Sequence, residues 1–280
     1  MKNLLLNICI ILLFFGGIAV ISYPAVSNFI NEKHSSTLIA GYEKSISDFS
    51  DKDKERILAE AHEYNRALPS VLSEYDAQAL ENREEYLSAL DISGNGIMGV
   101  LDIPEIGVHL PIYHGTSEEI LRVAAGHLPS TSLPVGGEST HAVISAHTGL
   151  PSSKLFTELD ELEIGDMFTV SVLDEVLVYK VDKISVVKPE DVEDLQMIEG
   201  EDHVTLLTCT PYGINSHRLL VRGTRAPYDE AERNGLFIGT DAEFLDKTLL
   251  IPFGAVPASV ICIIVIAVRS GRKRKNAKAE

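Results

Sequence analysis

Two uncharged apolar runs lie near the ends of the 280-residue chain, at residues 4–21 and 249–268. A helix needs about 20 apolar residues to cross a bilayer, so each run predicts a spanning helix. We assign residues 1–23 to an N-terminal membrane anchor or signal segment, because Ala25-Val26-Ser27 also fits a signal-peptide cleavage site. Of these two alternatives we favour the retained anchor.

Between the two runs, the hydrophobic pattern changes from helical to extended near Asp91. Residues 24–90 carry apolar positions at helical spacing on both sides of Pro69, which predicts a helical arm. Seven short extended runs separated by turn residues follow, and they predict one mainly β domain over residues 91–226 and favour a closed barrel. The runs are IMGVLDI, VHLPIY, HAVISA, MFTVSVL, EVLVYKVDKISVV, VTLLTC and RLLVRG.

The positions of basic residues predict the orientation of the chain in a membrane. Six Lys and Arg residues follow the second apolar run within the tail 269–280, and Lys2 precedes the first run. Basic residues that flank a span stay in the cytoplasm. Both termini are therefore expected inside, and the segment between the spans, with a linker at 227–248, is expected outside the cell.

The charge of that central segment excludes one class of partner. The chain has 24 basic and 41 acidic residues. Leaving out Lys2 and the six basic tail residues gives 17 basic residues, and leaving out Glu280 gives 40 acidic ones, so the central segment has a formal charge of −23. Such a domain repels nucleic acid and anionic membrane surfaces. We therefore expect no nucleic-acid partner.

The cysteine count directs attention to a strand-loop-strand pattern at residues 203–223. Cys9 and Cys262 lie inside the apolar runs, where inert packing is the simplest role. Cys209 is the one cysteine between the runs, so it has no intrachain disulfide partner. It ends a predicted strand, and Arg218 begins the returning strand. Cys209 is thus either a small buried hydrophobic residue or a nucleophile beside an electrostatic helper.

A cysteine nucleophile needs a partner that takes its proton. Of the nine histidines, His147 is best placed, since it ends the run HAVISAH where a strand opens into a loop. Spacing favours it only modestly over His141. His217 adjoins Arg218, but neighbouring residues of a strand point to opposite faces, so a regular strand cannot direct both into one site.

One stretch has a spacing close to that of a calcium-binding loop. The oxygen-bearing residues of DISGNGIMGVLD, residues 91–102, fall near the alternate positions that such a loop requires. The last position is Asp rather than Glu, and extended sequence follows instead of a helix. We therefore favour a glycine-rich turn into a strand and expect no metal.

Three stretches of the chain resemble a known family of enzymes. TLLTC at residues 205–209, Arg218 nine residues after the cysteine, and His147 in SAHTG resemble the signature of the sortases. The longer segments resemble the pilus-assembling class C sortases of Gram-positive bacteria, and a C-terminal span with a basic tail is also similar to that class. These segments are LPIYHGTSEEIL (110–121), GHLPSTSLPVGGESTHAVISAH (126–147) and TLLTCTPYGINSHRLLVRG (205–223).

The resemblance implies a cysteine transpeptidase on an eight-stranded β-barrel, held at the cell membrane with its catalytic domain outside. Cys209 would attack the Thr–Gly carbonyl of an LPXTG-like sorting signal, giving a thioacyl enzyme. His147 would protonate the departing amine and then deprotonate the incoming one, while Arg218 would hold the substrate carbonyl or the oxyanion. The acceptor would be a lysine of another pilin subunit, and no cofactor or metal would be needed.

The chain departs from class C in two places. Many members have His-Arg-Gly where this chain has His147-Thr148-Gly149. Class C members usually carry a lid with an Asp-Pro-aromatic tripeptide, which the corresponding residues 68–87 lack. The second departure predicts a shortened or absent lid within the arm.

Two other functions stay open at this point. A hydrolytic cysteine peptidase would use water instead of an amine to resolve the thioacyl intermediate. A membrane-anchored pilus-base scaffold or adhesin would keep Cys209 buried and inert. Substitution of Cys209 distinguishes the scaffold from both enzymes.

Overall fold

The structure is a computed structural model that describes residues 2–68 and 83–229, with side chains from residue 9 onward. It has two compact units. The described residues from Ile30 onward belong to one of them, whereas the helical residues before Ile30 belong to the other. The second apolar run and the basic tail lie outside the described residues, as do residues 69–82 of the predicted lid region and residues 230–248 of the linker.

The first apolar run forms part of one continuous helix, α1, which spans Lys2–Ser47. The stretch from Cys9 is long and apolar enough to cross a membrane, and the side chains of its apolar window are not buried in the protein. This confirms the predicted N-terminal apolar helix. The later part of α1 has a different role, because Ile39, Tyr42 and Ile46 are buried in the main core.

The arm continues with α2, which spans Asp51–Ala67, and the short helix α3, which spans Glu84–Ser88. Ser50 caps α2 by accepting a hydrogen bond from the backbone N–H of Asp53. Asn65 fastens α2 to the barrel, since its side chain donates to the carbonyl of Leu133 at 3.0 Å and accepts from the N–H of Leu133 at 2.7 Å. These helices bear out the predicted helical pattern over the residues that are described.

Eight strands follow the arm and form a closed barrel in the order β1-β2-β3-β4-β7-β8-β6-β5. Pairs β2–β3 and β4–β7 are parallel, and all other neighbours are antiparallel. The mainly β, eight-stranded fold is thereby confirmed. The strands are β1 (Ile97–Ile103), β2 (Val108–His114), β3 (Ala125–His127), β4 (Thr140–Ser145), β5 (Met167–Val172), β6 (Glu175–Val187), β7 (Asp202–Thr210) and β8 (His217–Arg225).

Short helical elements occupy the connections between the strands. Helix α4 spans Glu118–Leu121, and 3-10 turns cover Pro104–Ile106, Leu159–Glu161 and Glu193–Leu195. The seven extended runs read from the sequence correspond to seven of the strands. β3 is the strand that pattern reading missed, because three residues are too few to show alternation.

The residues with calcium-loop spacing form a turn into β1. Asp91 accepts a hydrogen bond from the N–H of Gly96 at 2.8 Å, and the side-chain oxygen of Asn95 accepts from the N–H of Ile97 at 3.2 Å. Asp102 lies in β1 and contacts the imidazole of His109. The side-chain oxygens of Asp91 and Asn95 therefore accept hydrogen bonds from the backbone of the turn, in agreement with the predicted glycine-rich turn into a strand.

Candidate active site on the outer face of β4, β7 and β8

Alternation along β7 directs Cys209 away from the main core. Val204 and Leu206 belong to that core, so Thr205, Leu207 and Cys209 lie on the opposite face, here called the outer face. Leu207 packs against a second, smaller cluster that contains Val143 of β4 and Leu220 of β8. Cys209 is a free thiol of intermediate exposure.

Arg218 lies directly across the antiparallel pair from Cys209, because the two residues are Cα partners in the β7–β8 register. The guanidinium Nη1 donates to the carbonyl oxygen of His217 at 3.1 Å and to that of Asn215 at 3.4 Å. These bonds orient the side chain at the start of β8. Among the described residues, Nε and Nη2 have no hydrogen-bond acceptor and stay available to a ligand.

His147 reaches the same level from the other side of β7. In the parallel β4–β7 pair Ser145 is the partner of Leu207, so two further residues along each strand bring His147 level with Cys209. The two chains stay together beyond the end of β4, since the N–H of Ala146 donates to the carbonyl of Leu207 at 3.2 Å. Thr208 also donates its hydroxyl to the carbonyl of Ala146 at 2.8 Å.

The backbone and ring of His147 are both held from outside the sheet. Its carbonyl accepts a hydrogen bond at 3.1 Å from the N–H of Phe156, which is fully buried. Its Nε2 lies 3.1 Å from Oε2 of Glu118, which belongs to α4. The His147 side chain is 25% exposed, so its ring is accessible to a substrate.

His141, the histidine that spacing alone left as an alternative, lies six residues earlier on the same face of β4. Its ring is buried, with Nε2 2.7 Å from the Thr205 hydroxyl and Nδ1 3.0 Å from the Gln196 carbonyl. Six residues of a strand span roughly 20 Å, so this ring is distant from Cys209. Burial lowers the pKa of His141 to about 4, as expected for a neutral ring with a structural role.

His217, the remaining histidine beside Arg218, is the Cα partner of Thr210 rather than of Cys209. Its Nδ1 lies 2.9 Å from the hydroxyl of Ser216. The structure thus pairs Cys209 with Arg218 across β7 and β8 and brings His147, two residues beyond the end of β4, to the same level, and it separates them from His141.

Glu118 is a site residue that reading the sequence for chemistry missed. It lies in TSEEIL, a segment that resembles the sortases, but an exposed glutamate on a short helix gives no signal of its own. The contacts with Arg122 and His147 lower the pKa of the Glu118 carboxyl. The carboxylate is therefore ionised at neutral pH, and it accepts hydrogen bonds from both neighbours.

A model of the sortase domain matches residues 101–226 of the chain. Sortase A of Streptococcus agalactiae serotype III is 30% identical over 177 residues, which cover 61% of this chain and 68% of that protein. The crystal structure of sortase C1 from S. agalactiae is similar at 45% identity and a TM-score of 0.62, and covers 68% of this chain and 98% of its own. The crystal structure of sortase C-1 from Streptococcus pneumoniae is similar at 44% identity and a TM-score of 0.60, and it covers 69% of this chain and 99% of its own.

Proposed function

The chain belongs to the sortase family, in its pilus-assembling class C, and is a cysteine transpeptidase of that type; on this premise we propose its substrates and the roles of its residues. It cleaves an LPXTG-like sorting signal between Thr and Gly and transfers the acyl group to a lysine amine of another pilin subunit. The product is a covalent polymer of pilins joined by isopeptide bonds.

The observation that carries this proposal is the strand register. It pairs Cys209 with Arg218 and Leu207 with Ser145, and two further residues along the chain bring His147 level with Cys209. Side chains that are level on adjacent strands lie within about 5 Å of their neighbours at Cβ, close enough for one carbonyl to contact all three. A nucleophile, a proton carrier and a fixed cation are the groups that acyl transfer requires.

In the first half-reaction, His147 takes the thiol proton of Cys209 as the sulfur attacks the threonine carbonyl and forms a C–S bond. The guanidinium of Arg218 stabilises the negative charge that develops on the carbonyl oxygen, through the N–H groups that its own backbone contacts leave available. His147 then gives its proton to the glycine nitrogen as the C–N bond breaks, and the glycine peptide departs as a neutral amine.

In the second half-reaction, the lysine amine attacks the thioacyl carbonyl. His147 takes a proton from the attacking nitrogen as the new C–N bond forms, and passes it to the Cys209 sulfur as the C–S bond breaks, which regenerates the thiol. Protons and electron pairs balance over the two steps without an oxidant or a metal. The hydrolytic alternative differs only in that water replaces the amine.

Apolar side chains close to the reacting groups fit the leucine and proline of a sorting signal. Leu207 precedes Cys209 by two residues on the outer face, and Val187 is the Cα partner of Arg218. Both are partly buried against the small cluster of the outer face, as is Leu128. An apolar surface beside a fixed cation suits an extended peptide whose backbone carbonyl must be oriented.

The proposal extends to the parts of the chain that flank the barrel, which we expect to hold the enzyme at the membrane. Residues 1–23 anchor the enzyme in the membrane, residues 24–90 form the arm with a shortened or absent lid, and residues 91–226 form the catalytic barrel outside the cell. Residues 227–248 link the barrel to a second span at 249–268 and a cytoplasmic tail at 269–280. The uncharged runs and the basic tail support this arrangement.

Intact mass spectrometry tests the proposed reaction. Full-length protein in detergent is incubated with a sorting-signal peptide, with and without a pilin domain that carries an acceptor lysine. We expect an acyl adduct on Cys209 that is converted into an isopeptide product only when the acceptor is present. Cys209→Ala abolishes both species, whereas the control Cys9→Ala, which removes the exposed cysteine of α1, leaves them unchanged.

The alternatives give different masses in the same experiment. An adduct that is released only as free acid, even with the acceptor present, supports a hydrolase. Absence of any adduct, together with failure of Cys209 to react with small thiol reagents, supports the inert scaffold and contradicts the proposal.

A further inference from the structure

Glu118 contacts the proposed proton carrier but has no role in the reaction described above. Its Oε2 lies 3.1 Å from Nε2 of His147. We propose that Glu118 is a positioning residue that keeps a proton on Nε2 of His147, so that Nδ1 is the atom that exchanges protons with the reacting amines. This inference rests on the proposed function, because it assumes that His147 is the proton carrier.

The backbone that precedes Glu118 is fixed from two sides. The N–H of Gly115 donates to the hydroxyl of Tyr86, a fully buried residue of α3, at 2.9 Å. On the other side, Gly126 of β3 lies so close that a Cβ on it would be 2.3 Å from the Gly115 carbonyl oxygen and 3.1 Å from Leu121. This close packing sets where α4 begins, and therefore where Glu118 is presented.

The carboxylate itself is held in place by a second partner. Nε of Arg122, one turn later in the chain, donates to Oε1 of Glu118 at 2.9 Å. Oε1 is thus occupied by Arg122, and Oε2 faces His147. Arg122 and His147 together lower the pKa of the Glu118 carboxyl, so at neutral pH the group is an acceptor only.

An acceptor-only partner decides which tautomer the ring adopts. Neutral imidazole has one N–H and one bare nitrogen, and a hydrogen bond to a carboxylate requires the N–H to be on Nε2. Nδ1 is then the bare nitrogen, and it has no hydrogen-bond partner among the described residues. Among the described residues, Glu118 is the one charged side chain in contact with the ring.

The proton transfers can then be assigned to atoms. The bare Nδ1 takes the thiol proton of Cys209 as the sulfur attacks, and gives this proton to the glycine nitrogen as the first C–N bond breaks. During aminolysis Nδ1 takes a proton from the lysine nitrogen and passes it to the departing Cys209 sulfur. The hydrogen on Nε2 remains in the bond to Glu118 in both steps. Loss of Glu118 allows the other tautomer, in which the wrong nitrogen carries the proton and the ring is unproductive.

Steady-state kinetics of the full-length protein in detergent test this role. We compare the wild type with Glu118→Gln and Glu118→Ala, and the matched control is Glu119→Gln, an exposed residue of the same helix with no side-chain partner in the described part of the chain. We expect kcat to fall about fivefold for Glu118→Gln and further for Glu118→Ala, a small part of the roughly 10²–10⁴-fold that acid–base catalysis supplies. The KM for the sorting peptide should change less than about twofold.

Nitrogen-15 NMR of histidine-labelled protein provides a readout that a merely structural role would not change. In the wild type at pH 8, the His147 signals should report a hydrogen on Nε2, and in Glu118→Ala a substantial population with the hydrogen on Nδ1. If Glu118→Ala keeps both the wild-type kcat and the wild-type tautomer, the inference is wrong. His147→Ala is measured in parallel, because full activity of that variant contradicts the proposed function itself.

Discussion

The two ends of the same strands, β4, β7 and β8, carry similar side chains in opposite environments. At one end His147, Cys209 and Arg218 are partly exposed, and we call this the reactive end. At the other end, which we call the closed end, His141 and Thr205 are buried and Arg222 forms an ion pair with Asp182. Both ends lie on the outer face of the same strands, so their difference in exposure arises from the segments that cover each end.

The segment between β6 and β7 covers the closed end. The carbonyl of Gln196 in that segment meets Nδ1 of His141, and Asp194 binds Lys183 and Ser185 of β6. Every polar group of His141 is therefore satisfied within the fold, whereas His147 has one ring nitrogen without a partner among the described residues. A histidine with satisfied, buried nitrogens supports structure, and one with an available nitrogen on an open surface can transfer protons.

Arg218 and Arg222, two arginines on the same face of β8, should respond very differently to the same substitution. Arg218→Lys keeps the charge but loses the planar fork that orients a carbonyl, so we expect kcat to fall about 10²-fold. Arg222→Lys is the matched control, because Arg222 lies four residues later on the same face and is bound to Asp182. Its effect on kcat should be less than about twofold, and equal losses for the two variants would remove the distinction between the ends.

The closed end should also give the protein a pH-dependent stability. Burial lowers the pKa of His141 to about 4, so between about pH 6.5 and 4 the unfolded chain binds a proton that the folded chain does not. Stability is therefore lost as the pH falls through this window. Between pH 7 and pH 5 we expect His141 to account for about 2 kcal/mol of the loss.

Urea unfolding at the two pH values, followed by near-ultraviolet circular dichroism, measures this contribution. His141→Gln removes the titrating group and should lower the pH dependence by that amount. His127, whose pKa burial also lowers to about 4, remains in the variant and keeps part of the dependence. An unchanged pH dependence in His141→Gln would show that the ring is not held neutral.

The sequence predicted most of this fold because most of its strands are long and bounded by turn residues. β6 was read with its observed bounds, Glu175–Val187, since thirteen extended residues give a strong pattern. β3 escaped detection because only Ala125–His127 form it, and its pairing depends on distant neighbours. In the arm, Leu87 is one of the apolar residues at helical spacing after Pro69. It is nevertheless 44% exposed, whereas the neighbouring Tyr86 is fully buried, because packing overrides periodicity in a five-residue helix.

The sequence predicted only part of the candidate site, because local patterns reveal pairs that are close in the chain but not contacts between distant segments. Cys209 and Arg218 are joined by one short loop, so their pairing across a hairpin was visible from spacing. The choice between His147 and His141 needed the parallel β4–β7 register, which no local pattern encodes. Glu118 approaches His147 through the packing of α4 on β3, so it became apparent only in three dimensions.

The rate at which Cys209 reacts with iodoacetamide at neutral pH tests most directly whether the reactive end is the catalytic centre. We would measure it in the wild type, His147→Ala and His141→Ala, with the full-length protein in detergent and the folded state checked by circular dichroism. The thiol reacts as its thiolate, so loss of the partner that takes its proton should slow labelling at least about tenfold. We therefore expect slow labelling in His147→Ala and a wild-type rate in folded His141→Ala, and the reverse order would contradict the account.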